Sequence, residues 1–171
     1  MPRHVAFLRG VSPMNLRMPA LKACVEGAGF ANVRTILSSG NVAFDSPGRS
    51  ARELEQALED AMARDLGRAF FTIVRSAQAL AALVATDPFA GYGLPPQAKR
   101  VVSFLRAPRP PRVPLPLTLG TATVIRQQGA DVLTAYLPGP DGPVFMKLIE
   151  QAFGADVTTR TWETLRKCAI A

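Results

Sequence analysis

HVAFLRGVSPMN, from His4 to Asn15, runs on through MPALKACVEGAGFANVRTILSSGNVAF, Met18 to Phe44, and this stretch decides the fold. Val5, Ala6, Phe7 and Leu8 are apolar at successive positions, so both faces of an extended strand are dry. Such a strand belongs in the middle of a covered sheet. Met18-Pro19 opens a helix, because proline suits the first helical positions. Leu21, Cys24, Val25 and Ala28 recur at helical spacing, and Gly29 stops the run. Val33–Leu37 and Val42–Phe44 are short strands around Ser38-Ser39-Gly40-Asn41, a hairpin pattern.

Working outward, Ser50 followed by Glu53 is a capping box at the start of a second helix. Leu54, Ala57, Leu58, Ala61 and Met62 form its apolar face. Phe70–Val74 is a fourth strand. The order β-α-β-β-α-β over residues 4–75 is that of a ferredoxin-like unit. Residues 76–98 read as a connecting helix and a loop rich in proline and glycine.

The second half, residues 99–171, holds a strand at Val101–Leu105 and a hairpin of Thr121–Gln127 with Asp131–Leu137. A helix follows at Val144–Phe153, and a last short helix is capped by Thr161. Ala107–Leu119 contains five prolines, which deny it an ordinary helix. The expectation is an α+β protein of two intertwined ferredoxin-like halves, the second with one helix eroded into the proline-rich segment. The two halves are expected to pack as one compact unit, with the second covering the back of the first sheet.

The chain of 171 residues carries a net charge of +7. Basicity attracts polyanions, yet the arginines are scattered, with Arg106, Arg109 and Arg112 as the densest group. No apolar run is long enough to span a bilayer, and no secretory leader pattern is present, so a cytoplasmic location is expected. Cys24 lies on an apolar helical stripe, where a small core residue is expected rather than a nucleophile. His4 is the only histidine, which excludes a multi-histidine metal site. No phosphate-binding glycine loop, dinucleotide fingerprint or zinc spacing is present. Neither a metal nor a cofactor is expected.

Three segments stand together: FLRGV (Phe7–Val11), ILSSGNVAFDS (Ile36–Ser46) and DVTTRTWETLRK (Asp156–Lys167). With them the chain resembles the bacterial domain-of-unknown-function family numbered sixteen ninety-seven. The resemblance implies two similar, intertwined α+β halves and no particular reaction. The chain departs from the family pattern in places. A Gly-Gly loop usual after Arg-Gly is Val11-Ser12-Pro13-Met14-Asn15 here, a stiffer segment. Met146 stands before Lys147-Leu148 where the family has serine, and Thr161 stands where the family has asparagine.

Six residues are candidates for binding. Arg9 ends an apolar strand, and its guanidinium needs a partner, either inside the fold or on a phosphate or carboxylate ligand. Ser39 and Asn41 put a hydroxyl and an amide beside Gly40, where they serve a ligand or the turn itself. Thr159 and Arg160 precede a helix N-terminus, an arrangement suited to anions, and Lys147 lies near the start of its helix. Glu55 and Glu59, one turn apart, read as a solvated face, and Trp162 as a core anchor.

Four functions compete. The first is a small soluble protein that binds an anionic, phosphate-bearing small molecule. The second is an RNA- or DNA-binding module, disfavoured because the first strand lacks an outward aromatic. The third is a hydrolase or transferase using the same polar cluster, which lacks an evident general base. The fourth is a structural protein without a ligand. Whether the protein is an enzyme, and its oligomeric state, are left open.

Overall fold

The computed structural model describes residues 1–140 and 144–171. The chain divides into two compact units, one of Met1–Ala85 with Arg166–Ala171 and one of Thr86–Leu165.

The first unit contains β1 (Arg3–Leu8), α1 (Met18–Gly27), β2 (Ala31–Ile36), β3 (Asn41–Asp45), α2 (Ala51–Leu66) and β4 (Thr72–Ser76), with α3 (Ala77–Thr86) following. The element order read from the sequence is present throughout. The strands form one antiparallel sheet in the order β2-β3-β1-β4. Ala6 pairs with Val42 and with Val74, so these three share a face. That face, with Leu8 and Phe44, packs on Leu21 and Val25 of α1 and on Leu54, Leu58 and Met62 of α2. Each large side chain fully buried there contributes roughly 1.5–3 kcal/mol. Val5, Phe7, Ala43 and Ile73 alternate with this set and are also fully buried, as the two-sided apolarity of β1 requires.

Ser50 caps α2, its hydroxyl accepting the Glu53 N–H at 3.2 Å, and Gly67 ends the helix at φ 72°. The expectation of a solvated face at Glu55 and Glu59 is corrected. Glu55 is 2% exposed, and its Oε2 accepts the Val74 N–H at 2.9 Å. Glu59 Oε2 accepts the Thr72 N–H at 3.1 Å. Arg52 lies 3.8 Å and 3.9 Å from the other oxygens of the two carboxylates. Because β4 is an outer strand, alternate N–H groups on its far side have no strand to bond to among the described residues. The two carboxylates, one helical turn apart, supply acceptors at that two-residue spacing.

The second unit contains β5 (Lys99–Phe104), β6 (Leu117–Leu119), β7 (Ala122–Gln128), β8 (Asp131–Tyr136), α4 (Val144–Phe153) and β9 (Thr158–Thr161). α5 (Trp162–Ala169) then carries the chain back to the first unit's residues. The antiparallel sheet has the order β6-β7-β8-β5-β9. Leu148, Ile149, Ala152 and Phe153 of α4 pack on Ala122, Val124 and Val132 on one face. Two strands were not expected. β6 arises inside the proline-rich segment, and β9 pairs with β5 although Thr158–Thr161 has no apolar alternation.

Residues 107–116 form no helix or strand, as five prolines between 107 and 119 demand. The arginines of the segment are not simply solvated. The Arg109 guanidinium donates to Phe153 O at 2.6 Å, and the Arg112 N–H donates to Ala152 O at 2.7 Å. α4 has no basic residue in its last turn. The proline-rich strap therefore supplies the cation and donors that satisfy the helix's terminal carbonyls.

Candidate functional site

In the first unit, Arg9, Ser39 and Asn41 come to one end of the sheet. The Leu8 N–H donates to Gly40 O at 2.9 Å, and the Arg9 N–H donates to Phe71 O at 2.8 Å. The end of β1 is thus held between the β2–β3 turn and the approach to β4. Gly40 has φ 88°, and a Cβ there would stand 2.9 Å from Val11 Cβ and 3.0 Å from Leu8 Cβ. Only glycine allows both that backbone and that approach. The loop after Arg9 consequently rests directly on the turn.

Both sides of this junction are stiffened locally. Asn41 is fully buried, and its Nδ2 donates to Ile36 O and to Ser39 Oγ, each at 2.9 Å. In the facing loop, Asn15 Nδ2 donates to Gly10 O at 2.8 Å, and Asn15 Oδ1 accepts the Ser12 N–H at 2.9 Å. The segment after Gly10 is therefore pinned by its own asparagine. Arg9 is half-buried at the strand end, and Ser38 is exposed in the turn.

Of its three candidates, the second unit separates Lys147 from Arg160. Thr159 pairs with Ser103, and the two hydroxyls lie 2.7 Å apart, on the face that carries α4. Arg160 pairs with Val102 and so stands on the opposite face, 8% exposed, with one guanidinium donor on Thr159 O at 2.8 Å. Lys147 is exposed on α4. Lys147 and Arg160 are thus on opposite sides of their sheet. The Thr161 hydroxyl accepts the Thr164 N–H at 3.2 Å and caps α5. Trp162 is half-buried and meets Phe89 edge-on at 5.3 Å.

Electrostatics elsewhere are structural in character. His4 stacks on its cross-strand partner Phe44 at 5.7 Å, and its Nε2 is buried without a hydrogen bond among the described residues. Burial pushes its pKa below 6.5, with the nearby Asp45 carboxylate opposing. Asp45 is held below the usual carboxylate range by hydrogen bonds from Asn32 and Arg3. Arg3 also donates to Ala171 O at 2.8 Å, tying the last residue to β1. Burial raises the Cys24 thiol, as does the neighbouring Asp65 carboxylate, which suits a core residue rather than a nucleophile. Among the described residues no group of three histidine, cysteine or acidic side chains could hold a metal. Among the same residues no helix is long and apolar enough to cross a membrane.

Fold and site together define a two-sheet α+β protein with a compact polar junction at the end of β1. The chain belongs to the family described as "Protein of unknown function (DUF1697)", whose model matches residues 1–118. The Thr158-Thr159-Arg160 segment lies beyond that matched stretch. No curated protein matches the chain. Among solved structures, the conserved bacterial protein SP0830 from Streptococcus pneumoniae has a similar fold. It superposes with a TM-score of 0.68 at 16% identity, covering 99% of this chain and 97% of that one.

Proposed function

We propose that the protein binds a small phosphate-bearing molecule through Arg9 and the Ser38–Ser39 turn of the first unit. The observation that carries this reading is the contact of Val11 and Leu8 on Gly40, which joins the Arg9 loop to the hairpin turn. It sets the half-buried residue Arg9 and the hydroxyl-bearing turn at one sheet end. A guanidinium presents two parallel donors to a phosphate, and partial burial strengthens each of them. Asn41, occupied with Ile36 and Ser39, orients the turn in this account. In the same reading the protein is soluble and cytoplasmic, and it acts by binding rather than by a reaction. Thr159, Arg160 and Lys147 are left outside the core of the proposed site, since Lys147 and Arg160 face away from each other.

Calorimetric titration with inorganic phosphate, pyrophosphate and a nucleoside monophosphate tests the reading. Saturable heat is expected, weakened in Arg9→Lys, which keeps the charge but loses the fork, and weakened further in Arg9→Ala. Ser38→Ala, at an exposed position, checks the turn without risking the fold. Absence of heat at millimolar anion, or equal binding by all variants, would overturn it.

A further inference from the structure

The two edges of the first sheet are treated differently. The β4 edge is closed by Glu55 and Glu59, whereas the ladder at the other side ends at β2. Along β2 and its turn, Arg34, Thr35, Ile36 and Leu37 line a groove of about 310 Å³ with Lys167 and Ile170. The pairing of β2 shifts register between Ala31 and Arg34, so the regular part of this edge begins at Arg34.

Two features of this groove lack a reason within the fold. Leu37 has φ 57° yet is 50% exposed, a backbone conformation that glycine or asparagine takes without strain. Beside it, Ile170 is 85% exposed. A strained, exposed leucine next to an exposed isoleucine recovers nothing by burial among the described residues. The lining contains two cations and no acid, and the side chains of Arg34 and Lys167 make no ion pair or hydrogen bond among the described residues.

We propose that this edge takes up an extended acidic peptide segment, which adds to β2 as a further strand. Main-chain groups of β2 would pair with the peptide backbone. Leu37 and Ile170 would cover its alternate apolar side chains, and Arg34 and Lys167 would meet its carboxylates. Charge complementarity selects this occupant over a second copy of the chain, because two-fold pairing of β2 with itself would set like charges together.

The test uses the full, isotope-labelled chain and a short capped peptide in which valine and glutamate alternate. Saturable amide shifts are expected at residues 34–37, weakening with salt. A peptide with lysine in place of glutamate should not bind. Arg34→Glu should lower affinity about tenfold. Leu37→Gly should lower it comparably while leaving the melting temperature unchanged or raised, since it removes strain. Should that variant fail to fold, Ile170→Ser at an exposed position gives the same readout. The proposal is overturned by absence of binding at millimolar peptide, by equal binding of the lysine peptide, or by shifts that map elsewhere. Unchanged affinity in the groove variants overturns it too, as does a concentration-dependent dimer that Arg34→Glu dissolves.

Discussion

Replacing Glu55 tests whether a helix seals a sheet edge with carboxylates. In Glu55→Ala the Val74 N–H, bonded at 2.9 Å to a side chain only 2% exposed, loses its acceptor. An unsatisfied buried donor costs about 1–3 kcal/mol. The cavity left by the truncated stem adds to that, while release of a desolvated carboxylate subtracts. The net expectation is about 2–3 kcal/mol. For a chain of 171 residues this corresponds to a fall in melting temperature of roughly 5–10 °C. Glu55→Gln keeps an acceptor and loses only the charge assistance, so about 1 kcal/mol is expected. Glu59→Ala, at a 17% exposed side chain that water can replace, should also cost about 1 kcal/mol. Denaturant unfolding measures the three values, and amide exchange at Val74 should accelerate selectively in Glu55→Ala. A cost below about 0.5 kcal/mol in Glu55→Ala, or unchanged protection of Val74, would refute the edge-sealing account.

Gly40→Ala must distort either the turn at φ 88° or the packing of Val11 at 2.9 Å, so a loss of about 2–3 kcal/mol is expected in denaturant unfolding, and a neutral substitution would contradict the junction geometry. His4 titrates lower in the folded than in the unfolded chain, so the unfolded state takes up the proton first. Stability is therefore full above about pH 6.5 and declines as pH falls from there toward the folded pKa. His4→Gln should flatten that part of a stability-versus-pH curve, while the decline linked to Asp45, whose folded pKa lies below 3.8, persists at lower pH.

The legible parts of the chain are those where local and tertiary preferences agree. Val5–Leu8 announced a doubly covered strand, Ser50 and Glu53 marked a helix start, and Ser39-Gly40-Asn41 marked a hairpin. β9 was hidden because Thr-Thr-Arg-Thr takes its strand conformation from pairing with β5 and not from its own pattern. β6 was hidden by neighbouring prolines, which exclude helix but leave extended structure open. Glu55 looked solvated because a charged residue is rarely buried, and only the outer position of β4 explains its acceptor role. For the candidate site, the Arg-Gly and Ser-Gly-Asn motifs were visible separately. Their contact through Val11 and Gly40 depends on a tertiary approach that sequence spacing does not encode.

The most direct test of the central claim is residue-resolved amide mapping of pyrophosphate binding on the isotope-labelled full chain. The account predicts saturable shifts at Arg9, Gly10 and Ser38–Asn41, lost in Arg9→Ala while the rest of the spectrum keeps its folded pattern. Shifts confined to other residues, or a response at Arg9 that grows linearly without saturation, would contradict it.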